Sequence, residues 1–203
     1  ANKILDAYSA QETAVVALMP NPNYETVFGP KHGSLEHDGD STINTFLDII
    51  DIENDLGTAM DFMGLDHRDF VITTKFKNPY DAKTNDWDYG ILFRKNDEKD
   101  KLVLKISSDE RWYLYYTDVD GWHKISDGTL KNLGISNGEW NSIVLIAKNK
   151  KGYFFLNDKF ISVLDLSPIT STGMIDIGSG ISSGSTVIGK STEFSNFTIW
   201  ALP

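Results

Sequence analysis

Not one of the 203 residues is cysteine. That removes disulfides, thiolate metal ligands and a cysteine nucleophile at once. Basic residues are scarce as well: 19 Lys and Arg face 29 Asp and Glu, giving a formal net charge of −10. A surface of that sign repels phosphate backbones, which argues against nucleic acid or an anionic membrane as partner. Long apolar runs are missing too. The segment "ETAVVALMP" is far shorter than the ~20 residues of a bilayer span, so membrane insertion is not expected, and it lacks the basic flank of a signal peptide. The sequence opens on Ala1 rather than Met, as a processed or excised piece would.

What is present is apolar and aromatic. Hydrophobic residues make up 40% and aromatics 12% of the chain, enough for a packed core and too rich for disorder. From about residue 33 the text reads as strands divided by turn residues: "DFVITTKFKNPY", "DYGILFRK", "DKLVLKISSD", "RWYLYYTD", "GWHKIS", three strands within residues 139–168, "GMIDIGSG" and "EFSNFTIWAL". Strands at this spacing, with no long helical pattern among them, predict an all-β sandwich or jelly roll. Residues 1–30 differ. "DAYSAQETAVVALM" has the pattern of a short helix, and "PNPNYETVFGPKHG" that of a Pro/Gly/Asn-rich connector. The expected division is an N-terminal arm or linker over 1–30 and a jelly-roll domain over 31–203.

The stretch "SSDERWYLYYTDVDGWHKISDG" (107–128) is the most aromatic in the chain and reads as a hairpin. With Asp120 and Gly121 at the centre of a type I′ turn, Val119 pairs with Trp122, Thr117 with Lys124 and Tyr116 with Ile125. Side chains alternate between faces. Trp112, Leu114, Tyr116 and Ile125 then share one face, while Arg111, Tyr113, Tyr115, Thr117, Trp122 and Lys124 share the other. The first set is core-like. The second places flat rings beside charged groups, as a sugar site does when pyranose faces stack on aromatics and fixed polar groups bind the hydroxyls. It equally fits ordinary cross-strand pairs, each stabilising the sheet by roughly 0.2–1 kcal/mol. In "WDYGILFRK", Trp87, Tyr89, Ile91 and Phe93 share one face; Asp88, Gly90, Leu92 and Arg94 share the other. Asp88 and Arg94 inside a strand require pairing or a polar groove.

These residues, together with "GEWNSIVLIAKNKKGYFFLNDKFISVLDL" and "TEFSNFTIW", resemble the concanavalin A-like lectin/glucanase superfamily over roughly residues 33–200. Within it the chain is most similar to laminin G-like and 3-keto-disaccharide-hydrolase-like jelly rolls. The most telling part is Trp140-Asn141, an apolar strand, a turn and then "YFFLND", although Lys159 stands where Gly often follows. The resemblance implies two stacked antiparallel sheets. Members bind glycans, bind proteins, cleave polysaccharides or act as spacers, so the scaffold alone does not fix the activity.

Glucanases of the superfamily carry Glu-x-Asp-x-Glu on a strand. In "DIIDIEND", Asp51 and Glu53 match its central and final positions, but Ile49 stands at the nucleophile position and cannot form a glycosyl-enzyme. "GISSG" (180–184) matches Gly-x-Ser-x-Gly, yet the last histidine is His123 and the required chain order fails. His32 and His37 lack further ligands at zinc-binding spacing. Calcium is a candidate: "DAKTNDWD" gathers Asp81, Asn85, Asp86 and Asp88 in one connection, supplying hard oxygens, and the resemblance implies calcium at loop ends. The metal set expected is Asp81, Asp86 and Asp88. Asn196-Phe197-Thr198 is a formal glycosylation sequon.

The function expected is a non-catalytic binding module for carbohydrate on an exported or cell-surface protein, with a glycan or a surface protein as partner. Tyr113, Tyr115 and Trp122 would stack the ligand; Arg111, Asp88 and Arg94 would bind its polar groups. The alternatives are a glycan-processing hydrolase of the 3-keto-disaccharide type and an interaction or spacer domain without a small ligand.

Overall fold

The computed structural model describes residues 24–37, 50–51, 67–96, 100–180 and 189–203. Among them every regular element is a strand: β1 (Thr26–His37), β2 (Ile50–Asp51), β3 (Phe70–Lys77), β4 (Asp88–Lys95), β5 (Lys101–Ser107), β6 (Arg111–Asp118), β7 (Gly121–Thr129), β8 (Trp140–Lys148), β9 (Lys151–Leu156), β10 (Lys159–Asp165), β11 (Met174–Ser179) and β12 (Lys190–Ala201). They form two antiparallel sheets. One has seven strands in the order β10-β9-β8-β3-β12-β1-β2, the other five in the order β11-β4-β5-β6-β7. This is the all-β, two-sheet jelly-roll sandwich that the strand spacing and the resemblance lead one to expect. The helix expected within residues 6–19, the "DIIDIEND" motif apart from β2, and residues 181–184 of "GISSG" lie outside the described residues.

The period-2 pattern sets the packing. On β3, Phe70, Ile72 and Phe76 belong to the central core, while Lys75 and Lys77 lie on the opposite face. On β4, Tyr89, Ile91 and Phe93 enter that same core from the other sheet, joined by Trp87 just before the strand. Phe76 and Tyr89 stack across the sandwich at 4.6 Å, and Tyr89 stacks on Trp87 at 5.1 Å. Each such ring, fully buried, stabilises the fold by ~1.5–3 kcal/mol. The face assignment read from "WDYGILFRK" holds for these residues.

The stretch 26–33, read from the sequence as part of a connector, is strand. β1 pairs with β12 from Thr26↔Trp200 to His37↔Lys190, so the sandwich takes in the end of the expected arm. Gly and Pro hide it by interrupting the pattern. The register shifts between Phe28 and Lys31, and Gly29 there has φ +90 with the Phe197 carbonyl where a Cβ would stand.

The "WN…YFFLND" motif has a structural reason. Asn141 is fully buried. Its Nδ2 donates to the Gly134 carbonyl (2.9 Å) and to Asn78 Oδ1 (3.2 Å), and its Oδ1 accepts from the Gly134 amide (2.8 Å) and Asn157 Nδ2 (2.9 Å). Tyr89 Oη donates to the same Asn78 Oδ1 at 3.3 Å. This amide network fastens the 130–139 connection to both sheets, where a hydrophobic side chain would leave buried donors unpaired. Asn157 and Asp158 form the β9–β10 turn with φ of 47° and 63°. Both are left-handed, as a type I′ turn requires. The position suited to glycine is therefore Asp158, and Lys159 begins β10, paired with Leu156.

Candidate functional site

The 107–128 stretch forms the β6–β7 hairpin at one edge of the five-stranded sheet. Its register differs from the sequence-based one. Asp118 pairs with Gly121, Thr117 with Trp122, Tyr116 with His123 and Tyr115 with Lys124. Val119 and Asp120 form the tip. The cause is the Asp118 carboxylate, which accepts from the Asp120 amide at 2.8 Å and lies 2.9 Å from His123 Nε2, closing the turn one residue earlier. The His123 hydrogen bond holds the Asp118 carboxyl below its ordinary value. Between the turn and Lys124 the pairing moves by two residues in sum, an even step, so the side chains there keep their faces.

Tyr113, Tyr115 and Trp122 thus share the outer face of the sheet, while Trp112 and Leu114 are buried in the core. Tyr113 and Tyr115 stack with centroids 5.9 Å apart and planes 20° apart. Trp122 is 48% exposed. A further register shift between Leu114 and Tyr115 brings Asp127 opposite Tyr113. Asp127 pairs with Arg111 and, at 3.1 Å, with Lys124. Hydrogen bonds from Lys124 and Arg111 hold its carboxyl below the ordinary range. Arg111 also lies 5.6 Å from the Tyr113 ring centroid, and Lys105 Nζ 4.9 Å from it. Tyr113 Oη donates to Asp109 at 3.1 Å; burial, then the Asp109 charge, pushes that phenol up. Asp127 and Lys105 are members of this site that sequence reasoning missed. Only the bulge opposite Tyr115 and the β5–β6 pairing Lys105↔Tyr113 bring them there.

Asp88 belongs to the same face by register, through Asp88↔Ser107 and Ser107↔Arg111. Its side chain is 1% exposed and lies 3.9 Å from Lys105 Nζ. It acts on the platform through Lys105 and presents no open oxygen to a ligand.

Arg94 is placed elsewhere, a correction to the expected polar contact. Its backbone is left-handed (φ 52) where β11 shifts register against β4, and the side chain is fully buried. Nε and Nη2 donate to the Arg68 carbonyl (3.1 and 2.9 Å), Nη2 to Asn149 O (2.7 Å) and Nη1 to Ile169 O (2.7 Å). Asp69 Oδ1 is 3.6 Å away. Arg94 fastens three connections and does not face the platform.

The expected metal carboxylates have separate tasks. Asp81 Oδ1 accepts from the Lys83 amide at 2.8 Å, Asp86 Oδ1 lies 3.5 Å from Ser108 Oγ, and Asp88 neighbours Lys105. Among the described residues no three His, Asp or Glu side chains are grouped so as to hold a metal. His32 is exposed; the side chain of His37 lies outside the described residues. No described helix is long and apolar enough to cross a membrane.

No protein-family model matches the sequence, and no curated protein matches it. Solved structures do match. The carbohydrate binding module CBM66 from Bacillus subtilis is 13% identical, with a TM-score of 0.50 over 66% of this chain and 75% of that one. A fructosyltransferase from A. japonicus is 12% identical, with a TM-score of 0.58 over 95% of this chain but 28% of the enzyme. The receptor binding domain of botulinum neurotoxin D is 10% identical, with a TM-score of 0.51 over 89% of this chain and 43% of that one. At these identities the likeness is one of architecture: the chain shares with these proteins a two-sheet antiparallel jelly-roll sandwich.

Proposed function

We propose that the domain is a non-catalytic carbohydrate-binding module of an exported or cell-surface protein. The observation that carries this reading is the solvent-facing platform of Tyr113, Tyr115 and Trp122, flanked by the charged group Arg111–Asp127–Lys124. The rings offer flat apolar surface to the C–H face of a pyranose, and the paired ions offer fixed donors and acceptors to its hydroxyls. The neighbour named as a carbohydrate binding module supports the reading at the level of fold.

The test is a glycan-array screen of the 203-residue chain, run with calcium and with chelator, beside Tyr115→Ala and Trp122→Ala. A confined set of hits lost in both variants supports the platform. Loss of the hits in chelator would add calcium to the reading. Unchanged binding by folded variants would remove the hairpin from the site, and a blank array would sink the proposal.

A further inference from the structure

Among the described residues, Val119, Trp122 and Trp140 are the large apolar side chains left exposed. Trp122 belongs to the platform already described. Trp140, 40% exposed, lies on the other sheet. The β-ladder puts it opposite Lys77, Lys77 opposite Glu193, and Glu193 opposite Ser34, so the four form one row across β8, β3, β12 and β1. The row is on the outer face, because Phe76 and Phe194, one residue away on β3 and β12, are in the core. An open groove of about 490 Å³ lies over it, lined by Trp140, Glu193, Ser34, Ser195 and His32 with Gly33 and Phe194. Lys77 is not in that lining and borders it through its contacts with Glu193 and Trp140. That volume is in the range of small-molecule sites, roughly 300–1,000 Å³.

The chemistry of the groove is specific. The indole is flat and its neighbours are hydrogen-bonding groups. Lys77 Nζ donates to Glu193 Oε1 at 2.7 Å and stands 5.9 Å from the Trp140 ring centroid. Both ends of that pair are partly exposed, at 34% and 47%. Each therefore keeps capacity for a ligand: the carboxylate accepts from one hydroxyl while the ammonium donates to its neighbour. Because the two charges neutralise each other, the groove has no reason to prefer an ionic ligand.

We infer that the Trp140 groove is a second sugar-binding site, taking one neutral hexopyranose ring with adjacent hydroxyls. The ring stacks its C–H face on the indole, and Glu193 and Lys77 read the hydroxyl pair. The ligand class rests on the carbohydrate reading above, whereas the geometry is independent of the hairpin. The two sites lie on different sheets and face opposite sides of the sandwich.

The test uses the full chain labelled with 5-fluorotryptophan, each ¹⁹F resonance assigned by single Trp→Phe variants. The probes are methyl β-glucopyranoside, methyl β-galactopyranoside and methyl α-mannopyranoside, with glucuronate as the charged control. The expected result is a saturable shift of the Trp140 resonance with at least one neutral hexoside. That shift should persist in Trp122→Ala, and Glu193→Gln should weaken it about tenfold, the loss of one charge-assisted hydrogen bond. Should Trp140→Phe disturb folding, the Glu193→Gln comparison still decides. A Trp122 shift with Trp140 silent overturns the groove and leaves the platform. A Trp140 shift with Trp122 silent keeps the groove and removes the platform. Silence at both overturns both, and a stronger response to glucuronate overturns the neutral-ligand assignment.

Discussion

Tyr115 and Trp122 meet edge to face, ring centroids 5.5 Å apart and planes at 86°, although neither is the other's ladder partner. Tyr115 pairs with Lys124 and Trp122 with Thr117, so the contact is diagonal across the hairpin. Only long flat side chains reach along that diagonal. The two rings flank Thr117, which is 5% exposed.

This geometry separates stability from binding. Trp122→Ala removes one edge-to-face contact, worth about 0.5–1.5 kcal/mol. A small drop in the urea midpoint, together with loss of the glycan hits that depend on the hairpin platform, is the expected pair of results. A large drop would mark the ring as structural.

Arg94→Met is expected to cost about 3–5 kcal/mol, because the carbonyls of Arg68, Asn149 and Ile169 lose a buried cationic donor together. Urea denaturation measures this directly. Glycan binding by the fraction still folded should be unchanged, since Arg94 does not reach the platform.

Asp158→Gly should stabilise the protein by about 0.5–1 kcal/mol. The native φ of 63° suits glycine and strains most other residues. Calorimetry should show a higher Tm. No change would mean that the Asp158 side chain compensates for the strain locally.

Acid should weaken the fold through named carboxylates. Burial pushes Asp69 up, but hydrogen bonds from Arg68 and the Asn149 amide, with the charges of Arg68 and Arg94, outweigh it and hold the group low. Asp127 is held low by Lys124 and Arg111. With the folded pKa below the unfolded one, their stabilisation is complete above about pH 4 and is lost as pH falls through the folded value. Asp69→Asn should therefore flatten the decline of stability below that pH, measured as urea midpoints against pH.

Four of the five tryptophans fall into two accessibility classes, with the partly buried Trp200 between them. Trp87 and Trp112 are 0% and 4% exposed, against 48% for Trp122 and 40% for Trp140. Acrylamide quenching should resolve a shielded and an accessible component, and Trp122→Phe with Trp140→Phe should remove most of the latter. Uniformly slow quenching would favour a spacer domain with covered faces.

Much of the fold was legible because its strands are dense in aliphatic and aromatic residues and bounded by turn residues. "DYGILFRK" and "RWYLYYTD" coincide with β4 and β6. β1 was not, since Gly29 and Pro30 imitate a connector and the strand depends on its pairing with β12. The ring face of the hairpin was readable although the register was not: the displacement near the turn is even and leaves the rings on their side, and the turn is decided by a side-chain hydrogen bond of Asp118. Arg94 defeated simple alternation because one left-handed residue redirects its side chain. Trp140, Lys77, Glu193 and Ser34 lie far apart in the chain, and only the ladder of the seven-stranded sheet makes them neighbours.

The position of β12 governs how this domain comes to be folded. The last strand in chain order lies between β1 and β3, hydrogen-bonded to both. During synthesis the seven-stranded sheet stays split until residues 190–201 have emerged, with two edges waiting for the same strand. A ribosome-bound chain ending before Lys190 should therefore be protease-sensitive and prone to edge pairing with its neighbours. Closure of this sheet therefore waits for β12 to emerge, and loop closures of this span make it slow.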